Sequence, residues 1–187
     1  MIPVSRASLT EPRDFNRKCR RPGIKWLKAH PVSRRPRDFW TQFKPMLANG
    51  FGNLCAYCAM YEPVGTVDHF VSFKVDRTLA YEWDNYRYAS AWLNSSKGTQ
   101  TVLDPFAVRK GWFRILLPSL QLVVTDRVPP GLRDLAEGTV RLLHLAGDER
   151  IIRQRREWYR MYQEGELSLQ GLRGKAPLIA EAIEAQA

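Results

Sequence analysis

The stretch that decides the reading is Thr66–Thr99, TVDHFVSFKVDRTLAYEWDNYRYASAWLNSSKGT. It holds one of only three histidines in the chain, His69, directly preceded by Asp68 and followed by Asn85, Asn94 and Lys97. Hydrolysing a phosphodiester needs a base for the attacking water and positive charge where negative charge develops. A neutral imidazole is a good base near neutral pH. A hard cation such as Mg²⁺ prefers oxygen ligands and keeps several waters. The stretch offers each part: His69 as base, Asp68 and Asn94 as carboxylate and amide oxygen ligands, Asn85 to orient the imidazole, and Lys97 to meet a phosphate.

Geometry sets a condition on this set. Neighbouring residues of a strand point to opposite faces, so Asp68 and His69 serve one site only if the strand ends or bends there. Asn94 and Lys97 are three apart and share a face if that segment is helical. Each residue also has an ordinary reading alone. His69 can be a hydrogen-bonded core histidine, Asn85 a turn residue, Asn94 a cap and Lys97 a solvated charge. Arg77 and Arg87 are either phosphate contacts or surface charges, and Asp76, Asp84 and Asp104 shape loops.

In order and spacing the series resembles the HNH endonucleases, the ββα-metal or His-Me finger family. His69 to Asn85 is sixteen residues and Asn85 to Asn94 nine; LNSSK is similar to the family's CNxxK segment, and Trp83 before Asn85 to its WxN. Asn in place of His at position 94 is a variant the family also uses. The resemblance implies His69 as general base, Asp68 and Asn94 as ligands of Mg²⁺ or Mn²⁺, Asn85 orienting His69, and hydrolysis of DNA, or alternatively RNA. It implies an α+β fold: a basic N-terminal arm and helix over 1–49, a ββα-metal core over 50–105, and a β-hairpin with a helical extension over 106–187. The wider layout CAYC…VDHF…W.N also resembles the HNH effectors of bacterial antiphage systems, Septu-type or retron-linked. That implies a defence role beside an ATPase partner, with oligomer formation left open; no ATP-binding motif occurs in this chain. The alternative from a different class is a non-catalytic nucleic-acid-binding or assembly subunit that keeps the finger shape.

Many family members hold a structural zinc with two CxxC knuckles. Cys55 and Cys58 form one, but the second would fall near Ser90 and Leu93. Tetrahedral zinc needs four ligands. Cys19, His30 and His144 are the candidates to complete a set, and nothing in their spacing demands it. The expectation is that Cys55 and Cys58 are small buried groups in a knuckle-shaped turn.

The net charge is +10, and residues 1–47 carry twelve Lys/Arg against three Asp/Glu. A surface so basic attracts polyanions, although a solvated tail or a subunit-docking arm has the same composition. Residues 1–35, rich in Pro, Arg and Lys, read as an extended arm with a short helix near Ile24–Ala29. Apolar spacing over 37–49 predicts a helix that Pro45 shortens.

Beyond the finger, WFRILL and LQLVVTD predict a hairpin, and LRDLAEGTVRLLHL and DERIIRQRREWYRMYQ predict amphipathic helices. A last helix is expected over 175–185. His144 reads as structural, and Trp158, Tyr159 and Tyr162 as core. The arginines of RQRREWYR either track a nucleic-acid backbone or dock an acidic partner. Met1–Thr10 lacks the apolar run of a signal peptide, and nowhere do eighteen apolar residues run together. With three cysteines and no disulfide framework, the expectation is a cytoplasmic protein without a membrane span.

Overall fold

The computed structural model describes residues 1–186. Among these the chain is α+β, with seven α-helices and two separate two-stranded antiparallel hairpins. The first hairpin pairs β1 (Thr66–His69) with β2 (Tyr86–Ala89), placing Asp68 opposite Arg87 and His69 opposite Tyr86. β1 stops at His69, but Asp68 and His69 both still pair in the ladder, so their side chains leave on opposite faces. Ser90 then turns the chain into the helix Ala91–Lys97, which Gly98 ends in a left-handed conformation (φ 54°).

The N-terminal segment is not an extended arm. Phe15 and Cys19, four apart, are fully buried, and a π-helical turn over Asn16–Arg20 runs straight into α1 (Arg21–Ala29). Pro22, which has no N–H to donate, follows directly after the π-helical turn, at the junction where the bonding pattern changes to that of α1. After it, the Asp38 carboxylate accepts bonds from the backbone N–H groups of Trp40 and Thr41 and starts a short 3-10 turn. This leads to α2 (Lys44–Gly50), with Pro45 in its first turn, so the proline shortens the helix as expected. The frequent Pro and Arg residues had masked a segment anchored by a few spaced aromatics.

β1–β2 separates two apolar clusters. One gathers Phe15, Trp40, Phe43, Leu47 and Phe51 of the N-terminal segment against Val67, Trp83 and Tyr86. The other gathers Cys55, Tyr57, Cys58 and Leu93 with the second hairpin and the C-terminal helices. That hairpin, β3 (Phe113–Leu116) and β4 (Gln121–Val124), pairs as the sequence predicts. The helix Ala91–Lys97 is α3 in chain order, followed by α4 (Pro130–Leu142) and α5 (Glu149–Gln163) at the two amphipathic stretches. The expected last helix over 175–185 is α7 (Pro177–Glu184); an additional short helix, α6 (Leu169–Lys175), precedes it and ends before Pro177. His144 is exposed after α4 with φ 52°, so it ends a helix rather than filling the leucine cluster around it. No helix among the described residues is long and apolar enough to cross a membrane.

α1 docks on the segment 77–81 through Gly23. A Cβ there would lie 2.4 Å from ring atoms of Tyr81, including the ring root Cγ, which cannot swing aside. Gly23→Ala is expected to destabilise the fold by about 1–3 kcal/mol through overpacking, although alanine favours helix. A lower urea midpoint at unchanged slope is the measurement that checks it.

Candidate functional site

His69, at the end of β1, is enclosed on three sides by ring edges: Trp40 at 4.6 Å, Tyr86 at 5.0 Å and Phe73 at 5.1 Å between centroids. Its Nε2 lies 2.8 Å from the carbonyl oxygen of Ala80. A carbonyl only accepts, so Nε2 carries the proton and Nδ1 is left with the lone pair. Burial holds the imidazole pKa below its ordinary 6.5, against the opposing pull of the Ala80 carbonyl. The ring is therefore neutral at neutral pH, with its tautomer fixed.

Asn85 does not touch this ring. Its Oδ1 accepts from the backbone N–H of Val71 at 2.8 Å, and its Nδ2 donates to the carbonyls of Val71 and Leu79 at 2.9 and 3.1 Å. It thus clasps both ends of the loop that follows β1. The carbonyl it holds at Leu79 precedes the one that binds His69, so Asn85 orients the imidazole through the backbone rather than directly.

Asp68 points the other way, towards α3 and the CxxC turn. Its Oδ1 accepts from Lys97 Nζ at 2.6 Å and its Oδ2 from the Tyr57 hydroxyl at 2.5 Å. Lys97 also donates to the carbonyl of His69 at 2.7 Å, and both ionised side chains are 1% exposed. Lys97 is therefore not a phosphate contact: its ammonium is buried and committed to Asp68 and the backbone. The geometry that places it there is the predicted one, since Asn94 and Lys97 share a face of α3. That face looks at β1, where Asn94 Nδ2 lies 3.5 Å from the carbonyl of Val67. Burial and the neighbouring Asp68 carboxylate push the Tyr57 phenol well above its usual pKa, so it stays a donor.

Asp68, His69 and Asn94 line one cleft of about 340 Å³, with Trp40, Thr41, Ser72, Phe73 and the basic residues Arg35 and Lys74 around it. Four of the five candidate residues are well buried, and three of the five meet at this cleft. The pair Asp68 and Asn94 offers only oxygen donors, which suits a hard divalent cation. Each carboxylate oxygen of Asp68 has one hydrogen bond and keeps a second lone pair. No hydrogen bond among the described residues takes up Oδ1 of Asn94. The donor set fits such a cation, in competition with Lys97 for the same carboxylate.

Sequence reasoning missed Tyr57, Trp40 and the Ala80 carbonyl. Tyr57 was legible only as the spacer inside the CxxC, and the Ala80 contact, made by backbone, leaves no residue signal. The CxxC turn itself is buried and carries free thiols. Ser90 donates its N–H to Cys55 Sγ at 3.5 Å, while Leu93 fills the core beside it. Cys19 lies in the other cluster against the Tyr86 hydroxyl, and His30 and His144 are exposed. No group of three or more His, Cys, Asp or Glu among the described residues is arranged to hold a metal. Arg87 and Arg77 are also committed. Arg87 binds Asp104 through two nitrogens, at 3.0 and 2.9 Å, between the rings of Phe70 and Phe106. Arg77 donates to the carbonyls of His30 and Pro31.

No family model, curated protein or solved structure matches the chain.

Two predictions follow from the buried charges. Lys97→Met leaves the Asp68 carboxylate buried without its counter-ion and is expected to cost about 3–5 kcal/mol of stability; a loss near zero in denaturant titration indicates a solvated lysine instead. For His69, the unfolded chain binds a proton below pH 6.5 while the folded one resists it. Stability therefore rises with pH through that window and falls on acidification below it. Between about pH 7.5 and 5.5 the wild type should lose more stability than His69→Gln, and equal losses contradict the burial argument.

Proposed function

We propose that the chain is a metal-dependent endonuclease of HNH type that hydrolyses DNA phosphodiesters. The observation that carries the reading is the state of His69: a neutral imidazole, its Nε2 proton tied to the Ala80 carbonyl, on the wall of the cleft that Asp68 and Asn94 share. The order of β1, β2 and α3 around that cleft supports it, as does the oxygen-only donor pair. In this reading Nδ1 of His69 takes the proton of the attacking water. The aromatic rings around the imidazole hold its plane and keep bulk water off three of its sides. The attack displaces the 3′ oxygen and leaves a 5′-phosphate and a 3′-hydroxyl. Asp68 and Asn94 would hold a divalent cation, whose chemistry would be to polarise the phosphoryl group and stabilise the departing oxygen. The proposal extends to the nuclease subunit of a bacterial antiphage system working with an ATPase, for which co-purifying proteins are the readout.

One observation favours a second reading, a nucleic-acid-binding finger without catalysis: both oxygens of Asp68 already have internal donors, and the residue is 1% exposed. Plasmid nicking separates the two. The purified chain, incubated with Mg²⁺ or Mn²⁺, is expected to nick DNA, EDTA to stop it, and His69→Ala to reduce the rate on the order of 10²–10⁴-fold. Retardation of DNA with no nicking under either metal, for wild type and variant alike, supports the binding finger and refutes the enzyme.

A further inference from the structure

We infer that the N-terminal basic segment is a rigid track for the phosphate backbone of duplex DNA leading into the His69 cleft. The substrate class rests on the nuclease reading; the track itself rests on the disposition of charge. Arg21, Lys25, Lys28, Arg34, Arg35 and Arg37 are all exposed, and none forms an ion pair among the described residues. The first three recur at i, i+4 and i+7, so they form one stripe along α1. At 1.5 Å per residue the stripe is about 10 Å long. Arg35 and Lys74, at the other end of the segment, line the cleft itself.

These cations are held in place. Gly23 sits flat on the Tyr81 ring, the Tyr81 hydroxyl donates to the Arg37 carbonyl at 2.8 Å, and Arg77 grips the carbonyls of His30 and Pro31. All three contacts tie the basic segment to the loop whose Ala80 carbonyl sets His69. A preordered row of charge loses little backbone entropy when a polyanion binds.

The second arginine-rich stretch is mostly neutralised, with Arg156 its one exposed arginine outside an ion pair among the described residues. Along α5, Arg153 pairs with Glu149 and Arg160 with Glu157, Glu164 and Glu166, while Arg155 is buried. Exposed cations outside ion pairs also lie at Arg109, Lys110, Arg114 and Arg127 around the second hairpin, but the N-terminal row is the one that reaches the His69 cleft, through Arg35. A protein partner would need a contiguous apolar anchor. Between residues 21 and 37 the exposed large apolar side chains are Ile24 and Val32, eight positions apart. A regular row of unpaired cations matches a phosphate polymer better.

The test measures binding of a short DNA duplex by fluorescence anisotropy across a salt series, with the full chain in EDTA so that cleavage does not intervene. Each neutralised phosphate contributes about 0.9 to the slope of log K against log salt. Replacing Arg21, Lys25 and Lys28 together by Gln should reduce that slope by about 2.7, and Arg35→Gln alone by about 0.9. Arg153→Gln with Arg156→Gln on α5 should leave it unchanged. A slope unaffected by the α1 and Arg35 variants overturns the track, as does a wild type that fails to bind duplex at low salt; the latter is what docking to an acidic protein predicts. Track-dependent binding without cleavage under any metal would sink the nuclease reading alone. Cleavage with a slope indifferent to these residues would sink the track alone.

Discussion

The first hairpin and α3 depend on one buried ion pair. Lys97 and Asp68 meet at 2.6 Å with both side chains nearly inaccessible, and Tyr57 closes the other carboxylate oxygen. Three chain segments are thereby joined at a single carboxylate: α3 through Lys97, β1 through Asp68, and the CxxC turn through Tyr57. Taking two charges out of water costs several kcal/mol per ion, and attraction offsets this only when the remaining valences are filled. Here each charge has a second partner: the lysine in the His69 carbonyl, and the carboxylate in the phenol. A misregistered β1 would leave both charges unpaired in an apolar setting, so the pair specifies register more than it adds stability.

The same device recurs at the other buried cations, each time joining segments distant in sequence. Arg87 lies across the hairpin from Asp68 and ties β2 to the loop at Asp104, with aromatic rings on either side of its guanidinium. Arg155 has no acidic partner and collects the carbonyls of Leu120, Leu145 and Ala146 instead. Burial draws its pKa down to about 10, which leaves it charged at neutral pH. Buried cations thus fix the relation of the CxxC turn, the first hairpin and the C-terminal helices. Ser90 and Leu93 stand where a second knuckle would supply thiolates, and both are packed inside.

Much of this was legible in the sequence, and what was not has physical reasons. The hairpin strands, α3 with its glycine stop and the amphipathic helices follow from periodicity and punctuation, which act locally. Asp68, His69 and Asn94 come to line one cleft, although the Asp68 carboxylate itself turns to Lys97 and Tyr57. Lys97 was read on the correct face but given the wrong partner: periodicity tells which side a residue lies on, not whether that side is wet. The arginines of α5 were indeterminate for the same reason, since their neutralisation depends on which glutamates lie one turn away and which carbonyls face inward. The short helix near Ile24–Ala29 falls within α1, but the rest of the N-terminal segment packs where an extended arm was expected, because composition is an average and its folding rests on a few residues: Phe15, Cys19, Trp40 and Phe43, all buried.

That last point changes how the basic charge relates to the site. A solvated tail would deliver cations near the cleft only on average. Instead, Trp40 packs edge-on against His69, and its neighbour Asp38 caps the turn that holds it. The hydroxyl of Tyr81, one residue after the carbonyl that fixes the imidazole, bonds the backbone at Arg37. The wall of the cleft and the row of cations are consequently one packed unit: the aromatics that bury the imidazole and lower its pKa also fix the arginines that flank it. Loosening the segment would at once rehydrate His69, raise its proton affinity and blur the positive row. The proton affinity of His69 and the placement of the neighbouring cations are therefore coupled through the same few aromatic contacts.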